Sequence, residues 1–137
     1  EKAHAKIDAF EREYPFIQYC YLTDATGSLK CSAITDPMYK ETYEALPIGY
    51  DFSGREWFKK PMQSGDLHIM DVYQSHFTSK LIITVSCAVT DEKDNIAGVI
   101  GVDIQLEELL LEFQPTIVFV EHDRVFCDRV ATKAVTL

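Results

Sequence analysis

The stretch LIITVSCAVTDEKDNIAGVIGVDIQ, residues 81–105, decides how this chain folds. Two runs rich in branched apolar residues flank the polar turn Asp91-Glu92-Lys93-Asp94-Asn95. They predict antiparallel strands over about Lys80 to Thr90 and Asn95 to Ile104. Alternation sorts the second strand into two faces. Ile96, Gly98, Ile100, Val102 and Ile104 form one, which reads mostly as core. Ala97, Val99, Gly101 and Asp103 form the other, an acid among small residues with space above the sheet. Asp103 then has two readings: a carboxylate that receives an ammonium group, or a hydrogen-bonded partner at the strand end.

Upstream, a third strand is predicted over about Leu67 to Gln74. Leu67, Ile69, Asp71 and Tyr73 share one face and His68, Met70, Val72 and Gln74 the other. His68 and Asp71 therefore point apart, which argues against a metal pair or a catalytic dyad. His76 falls in the following turn. Near the start, Ala3, Ile7, Phe10 and Tyr14 recur at helical spacing, and Pro15 ends that helix. Phe16 to Thr23 and Ser28 to Ile34 read as a hairpin around the turn Asp24 to Gly27. Asp36-Pro37 opens a helix over Met38 to Leu46, which Pro47 and Gly49 break. The order is helix, two strands, helices, then three strands. This is an α+β domain: a PAS-like five-stranded antiparallel sheet with an N-terminal helix and helices on one face.

Between the two halves lies YDFSGREWFKK, residues 50–60. Ser53 and Glu56 match a capping box, and Phe52 and Trp57 match a hydrophobic staple, so a short helix is expected from Ser53. Arg55 has no such structural reason. It would sit in the first helical turn, where the dipole disfavours a cation and favours an anion. One reading is a fork that holds a carboxylate in two parallel bonds. The other is a surface arginine paired with Glu56 or Asp51.

The 137 residues are 47% apolar and 26% charged, which suits one globular domain. Net charge is −9 and Lys and Arg do not cluster, so no nucleic-acid surface is expected. The longest apolar run, Leu81 to Val89, is broken by Thr84 and Ser86 and falls short of the ~18–20 residues of a membrane span. No signal peptide is read, and the opening Glu1-Lys2-Ala3-His4 suggests an excised domain. The four cysteines, Cys20, Cys31, Cys87 and Cys127, show no CxxC and no zinc spacing. Cys20 and Cys31 flank the first turn; they either pair across it in an oxidising compartment or stay half-buried thiols. Ser53, Ser86 and Cys87 lack an assignable relay or base, so no enzyme, metal or cofactor is expected.

Three pieces resemble the Cache family, the PAS-like sensor domains of bacterial chemoreceptors, histidine kinases and cyclic-nucleotide enzymes. They are YLTDATGSLKCS (21–32), DFSGREWFKKPMQSGDLHIMDVYQS (51–75) and LIITVSCAVTDEKDNIAGVIGVDIQLEEL (81–109). The resemblance covers about residues 1–110. It implies a ligand-binding sensor of a membrane-anchored signal-transduction protein, placed outside the cytoplasm, with a cytoplasmic sensor as the alternative. It allows a homodimer. One amino-acid-binding subgroup is matched at Tyr50, Arg55, Trp57, Phe58, Tyr73 and Asp103. The resemblance implies that Arg55 and Trp57 hold a ligand carboxylate with Tyr50 near them. It implies that Tyr73 and Asp103 hold the ammonium. Phe58 stands where that subgroup often has Tyr, and this chain has one module where the subgroup often has two. The implied ligand is an α-amino acid or similar small carboxylate. The competing reading is a dimerisation module without a ligand.

From Leu106 the chain changes character. LEELLLEFQPTIVFVEHDRVFCDRVATKAVTL resembles the end of an ABC-type ATPase domain, with a strand at Thr116 to Val120 and then His122-Asp123. No phosphate loop is present in the sequence, so His122 has no nucleotide cradle. The expectation is a sensor domain over residues 1–110 and, over residues 111–137, a strand-helix-strand tail that is either a fused or foreign segment or similar by chance.

Overall fold

A computed structural model describes residues 2–34, 46–115 and 128–130 of the chain. The elements run α1 (Lys2–Glu13), β1 (Ile17–Thr23), β2 (Leu29–Ile34), α2 (Glu56–Ser64), β3 (His68–Ile69), β4 (Tyr73–Gln74), β5 (Leu81–Thr90), β6 (Ile96–Gln105) and α3 (Leu106–Phe113). All strands pair antiparallel in one sheet of order β2-β1-β6-β5-β3, with β4 also on β5. The α+β, PAS-like class expected from the sequence is the class found. The helix expected over Met38 to Leu46 lies outside the described residues apart from Leu46. So do the strand at Thr116 to Val120 and His122-Asp123.

Local chemistry sets both hairpins. In the first turn Asp24 Oδ1 accepts from Thr26 N (2.9 Å), Thr26 Oγ1 (2.6 Å) and Ser28 N (3.1 Å), and Lys30 Nζ lies 2.8 Å from Oδ2. The hydrogen bonds from Lys30 and Thr26 hold this carboxyl well below the usual range. In the β5–β6 turn Asp91 Oδ1 accepts from Lys93 N (2.8 Å) and Asn95 N (3.0 Å). Short acidic side chains that bond their own following amides are strong turn formers.

The central strands carry a core on each face. Register sets Tyr19 opposite Asp103 and Tyr21 opposite Gly101, while Cys20 faces Val102 and Ala33. Tyr19, Tyr21, Leu29 and Val99 pack with Phe52, Trp57 and Phe58 of the α2 region. Cys20, Cys31 and Ala33 pack with Ile7 of α1. Helices therefore cover both faces, not one as expected, because both faces of β1 are apolar. The small-residue face of β6 is also less open than its alternation suggests. A Cβ on Gly101 would stand 2.8 Å from Trp57 Cε3, so the indole occupies the room that glycine leaves. Cys20 and Cys31 are buried thiols and not a disulfide. Register puts them diagonally, Cys20 on Ala33 and Cys31 on Leu22. Such a diagonal separates Cβ atoms beyond the ~4 Å a disulfide spans.

Two further expectations change. The third strand is two pieces. Met70, Asp71 and Val72 stand opposite only Ile83 and Thr84, between the pairs Ile69↔Val85 and Tyr73↔Ile82. One extra residue moves every later side chain of the strand to the opposite face. Tyr73 thus shares the face of His68, Thr84 and Asp103, and not that of Ile69. The second change concerns α2, which starts at Glu56 with Arg55 as its cap residue, extended at φ −80° and ψ 143°. Ser53 does not cap it. Asp51 Oδ1 takes the Ser53 amide (2.8 Å) and Phe52 O takes the Arg55 amide (2.9 Å), so a turn intervenes before the helix. The Phe52–Trp57 contact survives with ring centroids 5.1 Å apart, although the frame is not that of a staple.

Candidate functional site

The α2 start, the β3–β4 bulge and the C-terminal end of β6 border a cavity of about 300 Å³. Arg55, Trp57, Tyr73 and Asp103 line it, four of the six residues singled out in the sequence. The other two sit behind the wall. Tyr50 packs its ring on Phe52 (4.9 Å) and Phe77 (6.5 Å). Phe58 is buried in the core with Trp57 and Val99.

Asp103 is the acid of the site, 3% exposed on the central strand β6. Its Oδ2 accepts from Tyr21 OH at 2.7 Å and its Oδ1 from Thr84 Oγ1 at 2.6 Å. Thr84 has one hydroxyl proton, given to Asp103. The 2.6 Å contact between Tyr73 OH and Thr84 Oγ1 is therefore a donation by Tyr73. Burial pushes Asp103 up to about 6, against the two hydroxyl donors and the more distant Arg55, which pull it down. Tyr73 is pushed up to about 12, first by burial and then by the Asp103 charge. At neutral pH the site thus holds a neutral phenol and a carboxylate that burial makes costly to ionise.

Arg55 is the opposing charge. Its exposure is intermediate, and among the described residues it forms no ion pair. Neither acid expected as its surface partner pairs with it: Glu56 Oε1 lies 3.4 Å from His68 Nε2 without a hydrogen bond, and Asp51 Oδ1 accepts from the Ser53 amide. A guanidinium fork of this kind has the geometry to take a carboxylate in two parallel bonds. Trp57 forms the floor beside it, stacked on Tyr21 with centroids 5.3 Å apart and planes at 25°.

Sequence reading missed Tyr21, Met70, His76 and Phe77, which also line the cavity. Tyr21 belongs through the β1–β6 pairing, and only its hairpin with β2 was legible in the sequence. His76 and Phe77 belong through a turn that Ser75 closes, its Oγ accepting from Phe77 N (3.2 Å) and Thr78 N (3.3 Å). Among the described residues no cluster of three His, Cys, Asp or Glu side chains is placed to hold a metal ion. No described helix is long and apolar enough to cross a membrane.

A family model described as the first PDC sensor domain of methyl-accepting chemotaxis protein-like proteins matches residues 4–110. Among curated proteins, a citrate (Re)-synthase of Syntrophus aciditrophicus is 44% identical over 106 residues, 77% of this chain and 17% of that protein. The methyl-accepting chemotaxis protein TlpB of Bacillus subtilis is 29% identical over 96 residues, 69% of this chain and 14% of that one. The chain thus spans under a fifth of either relative. Among solved structures, the ligand-binding domain of the Campylobacter jejuni chemoreceptor Tlp3 in complex with L-valine superposes with a TM-score of 0.63 at 18% identity. That match covers 84% of this chain and 44% of that one, and it shows a shared fold. The family match stops before residue 111, so it says nothing of residues 111–137 or of the resemblance read there.

Proposed function

The chain belongs to the methyl-accepting chemotaxis protein-like family of first PDC sensor domains, and from that premise we propose that its cavity binds a free α-amino acid. The observation that carries this reading is a guanidinium with no ion pair among the described residues and a buried carboxylate on the same cavity, Arg55 and Asp103. A zwitterion supplies the complement of both. Its carboxylate meets the Arg55 fork beside Trp57. Its ammonium meets Asp103, with Tyr73 near the same oxygens through Thr84. Tyr50 and Phe58 act from behind, by holding Phe52, Phe77 and Trp57 in place. Similarity to the L-valine complex of Tlp3 supports the same ligand class.

Asp103 also argues against a simple carboxylate as ligand. An anion without an ammonium would add negative charge near an acid that burial already disfavours. The parent protein is read as a membrane-anchored receptor with this domain outside the cytoplasm, and a homodimer is compatible with that reading. Binding would shift a conformational equilibrium toward the closed cavity, with no catalytic step. The name of the citrate (Re)-synthase describes a protein of which the matched stretch is 17%.

Thermal unfolding in the presence of each of the twenty amino acids and of acetate, succinate and pyruvate tests the reading. A ligand at 100 times its Kd stabilises the fold by ~2.7 kcal/mol. An amino acid that raises Tm supports it; a screen in which none does, or in which only the simple carboxylates do, overturns it.

A further inference from the structure

Gln18 and Thr78 are 60 positions apart and both buried, and they bond each other twice. Gln18 Nε2 donates to Thr78 Oγ1 at 3.0 Å, and Thr78 Oγ1 donates to Gln18 Oε1 at 3.2 Å. Gln18 is the extra residue of a bulge in β1. Ile17 pairs with Ile104 and Tyr19 with Asp103, so Gln18 has no opposite number on β6. Thr78 closes the turn after β4. That turn is wired through Ser75: Ser75 N donates to Lys80 O (2.8 Å), Ser79 N to Ser75 O (3.0 Å), and Lys80 N to Thr78 Oγ1 (3.3 Å). Ser79 holds φ at 58°, a left-handed conformation that serine rarely adopts unless its surroundings impose it. Two residues of this turn, His76 and Phe77, line the cavity together with Arg55 and Trp57.

We propose that Gln18 and Thr78 are positioning residues of the site: their paired hydrogen bonds anchor the 75–79 turn to β1 and so hold His76 and Phe77 as one wall of the cavity. A fully buried amide and a buried hydroxyl are costly to hide unless they satisfy each other, as they do here. The anchor on β1 lies next to Tyr19, the register partner of Asp103, so wall and acid are referred to one strand. For its effect on affinity the inference rests on the ligand reading above; for its effect on the wall it does not.

The test uses Gln18→Leu, Thr78→Val, the double variant and Thr78→Ser. In the ligand-free chain, amide exchange at Phe77 and Thr78 is measured against Val85 and Val102 in the central ladder. The expected result for either single variant is roughly tenfold faster exchange in the turn alone, with Thr78→Ser close to the parent. Unchanged exchange in the turn overturns the inference. The second arm follows the single tryptophan, Trp57, by fluorescence during titration with L-valine. Kd should rise about tenfold in each single variant and no further in the double, because either change breaks one shared link. A responding parent whose Kd is untouched in the variants also overturns it. If the parent does not respond to L-valine or any other amino acid, the ligand reading falls, and the exchange arm still decides the role of the pair. In the double variant neither member of the pair faces a lone polar partner from the other, so it carries both measurements should a single variant fail to fold, while Thr78→Ser keeps the acceptor of the Lys80 amide.

Discussion

Tyr21 and Asp103 are 82 positions apart, and the Tyr21 hydroxyl donates to Asp103 Oδ2 at 2.7 Å. This bond and the one from Thr84 hold both oxygens of a carboxylate that lies in the middle of the sheet. A hydrogen-bonded carboxylate of this kind is preorganised: on the proposed reading an incoming ammonium would meet oxygens that are already oriented. The same burial makes the group sensitive to pH, in its effect on stability and in its effect on binding.

Asp103 is raised from 3.8 to about 6, with burial as the main cause. Between those values the native state keeps a proton that the unfolded chain has released. Its contribution to stability is therefore complete at low pH and is lost as pH rises toward about 6, by ~3 kcal/mol at most. Asp24 shifts the other way, so the comparison has to be made against Asp103→Asn. Urea unfolding of both proteins at pH 4 and pH 7 should show the variant gaining on the parent as pH rises. A constant difference between the two proteins would contradict the assigned burial effect.

Tyr21→Phe removes one of the donors that hold Asp103 down. The acid should then titrate above about 6, and the Kd for an amino acid at pH 7 should worsen more than at pH 8. The lost bond costs ~1–3 kcal/mol at neutral pH and less where Asp103 is protonated. Calorimetric titration across pH 6 to 8 reads the first effect, and an affinity loss independent of pH would refute it.

Arg55→Ala should leave the fold within ~0.5 kcal/mol of the parent, since the side chain is part-exposed and forms no ion pair among the described residues. Ligand-induced stabilisation should vanish. Arg55→Lys keeps the charge but not the fork, and should weaken binding by roughly tenfold or more. Ligand-dependent Tm shifts measured on the three proteins separate these outcomes; an unaffected shift in Arg55→Ala removes the residue from the site.

Gly101→Ala places a methyl 2.8 Å from the Trp57 ring, against a contact that requires about 3.5 Å or more. The indole must move, at a cost of ~1–3 kcal/mol for overpacking. Because Trp57 is the single tryptophan, its emission reports the displacement directly. A red-shifted spectrum together with weaker ligand binding is expected, whereas an unchanged spectrum would show that the sheet yields instead.

Much of the site was legible because its parts are local. The alternation of β6 already set Asp103 on the face of Val99 and Gly101; the register shift at Ala97 precedes this stretch, and the pairing with β5 is regular from Gly98 to Asp103. The Arg55 reading came from a cation with no structural duty near a helix start, and the fold leaves that cation unpaired among the described residues. Tyr73 is the instructive case. It was singled out by resemblance, while strict alternation put it on the face away from His68. The bulge at Met70 to Val72 turns it toward Thr84 and Asp103, and period-two reasoning has no means of registering one inserted residue. Ser53 shows the opposite failure. A capping-box pattern was present, but the Asp51 carboxylate captured the Ser53 amide first, and the helix began after Arg55.

The sequence by itself determined both hairpins with their acidic turns and the α+β class, and it singled out Arg55 and Asp103 as candidates, because each depends on contacts within a few residues. Tertiary structure alone decided that Tyr21 reaches Asp103, that Trp57 lies over Gly101, and that Gln18 meets Thr78. Those relations depend on which strands pair and in what register, and register is set by the summed packing of both sheet faces, which no single segment encodes.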